Sequence, residues 1–188
     1  MTSATRLIVL DDAPALTQIA CENRDFLAPW EPLRDDRWFT VDGQREGISV
    51  ALERHQQGTC LPHVILDETG HVAGRITLNG ITRGPFQSCS VGYWVSAQAN
   101  GRGLATAAVR DIVRIAFEDL GLHRVQAETL PHNLASRHIL ERTGFRQYGM
   151  APQYLKIAGR WQDHMMFQLL NRSLSENRAD APVIAPRC

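Results

Sequence analysis

Gly101 and Gly103 stand where a strand turns into a helix. The apolar run Val91–Val95 before them reads as a strand, and the pattern after them reads as a helix to about Leu120. Glycine at such a junction permits positive φ and lets a ligand approach bare amides. The first turn of a helix also leaves N–H groups without partners and carries partial positive charge. Together these features suit an anion of phosphate or pyrophosphate size. The Rossmann glycine pattern is incomplete, and no acidic residue stands at the expected distance for a ribose. A Walker lysine is absent as well, so dinucleotide and NTP enzymes are disfavoured. Cys89, just before the strand, reads as a buried structural thiol rather than a nucleophile.

The elements that must position this loop can be followed along the chain. Thr5–Leu10 reads as an opening strand, and Asp11-Asp12 as an N-cap for a helix ending near Asn23. Arg24–Thr40 is loop-like yet carries Phe26, Trp30, Trp38 and Phe39, which either pack on the core or wall a pocket. Val41–Gln57 reads as a second helix. Leu61–Leu66 and Val72–Leu78 read as a hairpin about the Asp67–Gly70 turn, with a loop over Asn79–Ser88. After the helix closed by Gly121, Arg124–Thr129 alternates like a strand and Leu134–Thr143 reads as a short helix. Phe145–Met150 and Arg160–Leu170 are the last strands, separated by a loop with Pro152 and Gly159. This order gives a mixed α/β layout, with helices packed on a sheet.

The chain has 188 residues, with twenty basic side chains balancing twenty acidic ones. We expect one domain over 1–170 and a flexible polar tail over 171–188. The charge balance argues against nucleic-acid and anionic-membrane partners. No apolar run is long enough to span a bilayer. The four cysteines make no CxxC pair and no metal-site spacing with His, so no metal is expected. Free thiols point to a reducing cytoplasm.

Two motifs then coincide. Asn100-Gly101-Arg102-Gly103-Leu104-Ala105 resembles the Q/R-x-x-G-x-G/A pyrophosphate loop of the GNAT acetyltransferase superfamily. Asn133-Leu134-Ala135-Ser136, followed by Leu140–Phe145, resembles the N-x-x-S-x-x-x-L-E-x-x-G-F run of its Rim-type branch, which acetylates N-termini of ribosomal proteins. The segment around Trp30 and the run Gly159–His164 are similar to that branch too. Asn100 departs from the pattern, replacing a longer polar side chain.

The resemblance implies an α+β fold: a mostly antiparallel sheet of about six or seven strands, flanked by about four helices and splayed at the cofactor site. It implies direct transfer of an acetyl group from acetyl-CoA to a primary amine, most simply a protein or peptide α-amine. The pyrophosphate would lie on the amides from Asn100 through Gly101, Arg102, Gly103, Leu104 and Ala105 to Thr106, with the Arg102 side chain turned inward or solvated. Backbone groups of Trp94 and Val95 would pair with the pantetheine arm, and a bulge there would aim an amide at the thioester oxygen. Ser136 takes the place of the branch's donor to the departing thiolate; otherwise it caps its helix or holds the cofactor. Asn133 would anchor that turn and the arm. Some Rim-type enzymes have a glutamate base just before the tyrosine matching Tyr154, where this chain has Gln153. Glu128 matches the base of a related enzyme, unless it is paired with an Arg or His. His132 and His138 are further options. Trp30, Trp38 and Tyr154 are the expected acceptor-site aromatics.

Two other functions compete. The acceptor could be a small amine such as an amino acid, polyamine or antibiotic. Alternatively, the missing glutamate at Gln153 could mark a non-catalytic acyl-CoA sensor. Homodimers are common in the branch, but no stretch here specifies an interface.

Overall fold

A computed structural model describes residues 3–172. Seven strands form one sheet: β1 (Thr5–Leu7), β2 (Cys60–Leu66), β3 (Val72–Thr82), β4 (Ser88–Val95), β5 (Arg124–Thr129), β6 (Arg146–Ile157) and β7 (Arg160–Leu170). Their spatial order is β1-β2-β3-β4-β5-β7-β6, antiparallel throughout except between β4 and β5. The helices are α1 (Ala13–Glu22), α2 (Arg24–Leu27), α3 (Val41–Gln56), α4 (Leu104–Arg114) and α5 (Leu134–Arg142).

Side chains alternate between the two faces of the sheet, and each face has its own cover. On one face, Ile76, Leu78, Val125 and Phe167 pack with Val109 and Ile112 of α4 and Leu140 of α5. On the other, Val64 packs with Ile8, Leu16 of α1 and Ile48 of α3, with Trp94 against them. No described helix is long and apolar enough to cross a membrane.

Several boundaries differ from the sequence expectation, each for a physical reason. Strand β3 runs on past Leu78 to Thr82, because a register shift between Asn79 and Thr82 lets pairing with Ser88 continue. Strand β6 includes Pro152 rather than ending at Met150. It is the sheet edge, where a missing N–H costs no ladder bond, and a bulge between Ala151 and Leu155 absorbs the irregularity. Arg24–Thr40 is not all loop: besides α2 it holds a 3-10 turn over Asp36–Phe39, capped by the Asp35 side chain accepting from the Trp38 N–H. Asp12 does not cap α1. Its buried carboxylate accepts from Arg6 at 2.6 Å and from the Val9 N–H at 2.9 Å, tying β1 to the helix start.

Asn171, assigned to the tail by composition, is buried, and its N–H donates to the His123 carbonyl at 2.8 Å. The remainder of the expected tail, 173–188, lies outside the described residues.

Candidate active site

The parallel pair β4–β5 decides the site. Pairing covers only Ser88–Ser90 against Arg124–Gln126, after which the two strands part. Val91–Val95 and Ala127–Thr129 thereby become opposite walls of a cavity of about 380 Å³. Its lining also includes Asn100 and Ala105 of the glycine loop, and Phe26, Trp30 and Glu31. Asn133 and Ser136 reach it from the start of α5, and His164 from β7.

The β3–β4 register runs unbroken from Asn79–Ser90 to Gly74–Val95. The bulge expected near Trp94 and Val95 is therefore absent from these strands. What frees one edge of that backbone is the departure of β5. The Trp94 side chain packs with the cluster under α1 and α3. Gly74, the register partner of Val95, must be glycine: a Cβ there would lie 2.2 Å from the Trp94 carbonyl oxygen.

The glycine loop is held by Asn23, whose Oδ1 accepts from the Ala97 N–H at 2.7 Å. Gly101 and Gly103 have φ of 75° and 80°. Ala107 makes the first backbone bond of α4, to the Gly103 carbonyl. The preceding amides, Gly101 to Thr106, have no backbone acceptor among the described residues, as an anion cradle requires. Leu104 and Ala105 are buried beneath the loop. The Arg102 guanidinium is held by the Glu68 carboxylate on the β2–β3 turn. A Cβ on Gly103 would meet nothing within 4 Å, so φ alone demands glycine there. Gly103→Ala should therefore cost about 1–2 kcal/mol of loop conformation. In steady-state kinetics it should raise the acetyl-CoA KM about tenfold, leaving kcat nearly unchanged.

Asn133 caps α5, its Oδ1 accepting from the Ser136 N–H at 3.1 Å. Ser136 is thus not the cap. Its Oγ lies 3.1 Å from the Tyr93 hydroxyl on β4. Tyr93 is a site residue that sequence reasoning missed, read only as part of an apolar strand. Burial pushes its phenol up to about 12, with the Ser136 bond working the other way.

Glu128 lines the cavity and makes no salt bridge or side-chain hydrogen bond to another described residue. Pairing with an Arg or His is therefore not its role. Burial pushes its carboxyl up from the ordinary value, and its own backbone amide and Arg124 pull it back. On β5, Val125 and Ala127 face α4 and α5, so alternation sends Glu128 to the opposite face. Tyr93, packed on that helix-side core, and Ser136 thus approach the gap from one face, and Glu128 from the other.

Of the expected acceptor aromatics, Trp30 lines the cavity, 5.5 Å from the His132 ring. Trp38 lies in a separate hollow, with Arg34 stacked on its ring at 3.8 Å. Tyr154 stands behind His164, ring centroids 5.4 Å apart, and outside the cavity lining. His132 opens onto the outer hollow beside Trp161, and His138 is exposed. Gln153 is exposed at the β6 bulge, where its N–H donates to Asp163. Burial holds the Cys89 thiol at about 12, protonated and unsuited to attack. No cluster able to hold a metal occurs among the described residues.

A family model described as an acetyltransferase (GNAT) domain matches residues 5–146. The chain belongs to the GNAT acetyltransferase family. It is 36% identical to the Bacillus subtilis protein named Probable N-acetyltransferase YjcK, over 90% of this chain and 94% of that one. It is 33% identical to the Escherichia coli [ribosomal protein uS5]-alanine N-acetyltransferase, over 87% and 85%. The solved structure of Mycobacterium smegmatis RimJ in complex with CoA-disulfide superposes with a TM-score of 0.86 at 32% identity, covering 90% of this chain and 82% of that one. These relatives place this GNAT chain in the Rim-type branch.

Proposed function

We propose that this acetyltransferase uses acetyl-CoA to acetylate the N-terminal α-amine of a protein or peptide. The observation that carries the proposal is the two-faced gap between β4 and β5, with hydroxyls on one side and a carboxylate on the other. Acetyl-CoA fits this arrangement: unbonded amides and two left-handed glycines face its pyrophosphate, and the parted edge of β4 faces its arm. It supplies the acetyl group as an activated thioester.

The chain's own residues then have separate tasks. A free α-amine has a pKa near ~8, so a substantial fraction is already neutral at physiological pH. Glu128 accepts the proton that the amine must lose, directly or through one water, and burial strengthens it as a base. Ser136 donates a hydrogen bond to the departing sulfur. A hydroxyl is too weak an acid to give its proton up to a thiolate, so the hydrogen bond itself is the contribution. Phe26 and Trp30 wall the acceptor side.

The uS5-alanine relative supports the choice of acceptor. Purified protein, acetyl-CoA and peptides beginning with different residues should release free CoA thiol, and blocking the α-amine should abolish the release. Release that persists with α-blocked, lysine-containing peptides would refute the α-amine assignment.

A further inference from the structure

We infer that Tyr93 is the positioning residue for Ser136, donating its hydroxyl proton to Ser136 Oγ and so turning the serine's own proton toward the CoA sulfur. This rests on the Ser136 role proposed above. Tyr93 has one proton and two acceptors within reach on Ser136: Oγ at 3.1 Å and the carbonyl oxygen at 3.4 Å. The shorter contact is to Oγ. A serine hydroxyl that accepts from Tyr93 must donate elsewhere, and Ser136 lines the cavity.

Both partners are held from behind. Ser136 is fixed by Asn133 Oδ1 on its N–H. Tyr93 is fixed by β4, whose register to β3 is unbroken at Tyr93–Ile76. Burial keeps the phenol protonated across the working pH range, so Tyr93 remains a donor throughout the cycle. The amine nitrogen bonds to the acetyl carbon and loses its proton to Glu128, the carbon–sulfur bond breaks, and the electron pair stays on sulfur as a thiolate. Ser136 stabilises that thiolate while keeping its proton.

The consequence is measurable on CoA itself, without any acceptor. CoA labelled with ¹³C at the carbon bonded to sulfur would be bound to the protein and titrated by NMR. The bound thiol should titrate below the free thiol. A hydrogen bond to a charged group corresponds to roughly one pKa unit, so Ser136→Ala should raise the bound value by about that much. Tyr93→Phe should raise it by part of that amount, and the double variant no further than Ser136→Ala alone. In turnover, Tyr93→Phe should lower kcat about threefold to tenfold with the acetyl-CoA KM unchanged.

Three results would overturn the inference. One is a Tyr93→Phe titration identical to wild type. The second is a double variant shifted beyond Ser136→Ala, which makes Tyr93 independent of the serine. The third is a Tyr93→Phe effect larger than that of Ser136→Ala, which puts the phenol itself on the sulfur. A wild-type thiol that titrates as in free solution removes the Ser136 role itself, whereas peptides that fail to react while the thiol shift persists contradict only the acceptor assignment.

Discussion

Glu128→Gln should abolish most of the activity while making the protein more stable. General bases contribute about 10²–10⁴-fold, and water can replace only part of that, so kcat/KM should fall at least about a hundredfold. The stability gain follows from the carboxyl's environment. Burial raises the folded-state pKa of Glu128 above its unfolded value. A carboxyl shifted that way favours folding while protonated, below its unfolded pKa. That contribution is lost as pH rises through the folded value, so the ionised form is a net cost at neutral pH. Glutamine keeps the shape and removes the charge, and a thermal melt at neutral pH should show a higher Tm than wild type. At low pH, where Glu128 is itself neutral, the two melts should converge. The wild-type pH–rate profile should rise through the raised Glu128 value and then through the amine's own, and Glu128→Gln should lose the lower limb. A variant that is inactive and also less stable at neutral pH would mean the carboxylate is a structural partner.

Gly74→Ala should damage both stability and activity through a single added methyl group. Its Cβ would lie 2.2 Å from the Trp94 carbonyl oxygen and 2.9 Å from the Val95 Cα, both backbone atoms that cannot rotate away. Either β3 and β4 separate or the end of β4 moves. Overpacking of this kind costs about 1–3 kcal/mol or more, which for a chain of this length lowers Tm by roughly 2–12 °C. Because the same segment walls the cavity, a shift near 1 Å should also cost about a hundredfold in kcat/KM. Gly149→Ala on β6 is the control: its Cβ meets nothing within 4 Å, and both quantities should stay near wild type. Equal behaviour of the two variants would show that the close approach of β3 to β4 is unimportant.

The features behind these effects are unequally legible in the sequence. Helices α3 and α4, the β2–β3 hairpin and the glycine loop were legible because periodicity, turn residues and left-handed glycines are local signals. The parting of β4 from β5 was not, because it is a failure of pairing between strands some thirty residues apart. The resemblance implied a splay but also a bulge, and only the splay is present. Glu128 was legible as a candidate base, whereas its freedom from Arg and His partners depended on which face of β5 it occupies. Tyr93 was hidden in an apolar strand, since its role requires α5 to bring Ser136 within 3.1 Å. Trp38 looked equivalent to Trp30 in the chain, yet Arg34 stacks on it in a different hollow. Gln153, which seemed to remove a catalytic glutamate, lies at an exposed bulge outside the cavity lining, so its identity does not weigh against turnover.

In the proposed mechanism, Glu128 and the Tyr93–Ser136 pair flank one gap through which an acetyl group passes to a protein α-amine. Its most direct test is mass spectrometry of N-terminal peptides incubated with acetyl-CoA and either wild-type protein or Glu128→Gln. Wild type should add one acetyl group to the α-amine, and the variant almost none although it still binds CoA. Acetylation that proceeds equally well with Glu128→Gln, or that occurs only on small polyamines and never on a peptide α-amine, would contradict it.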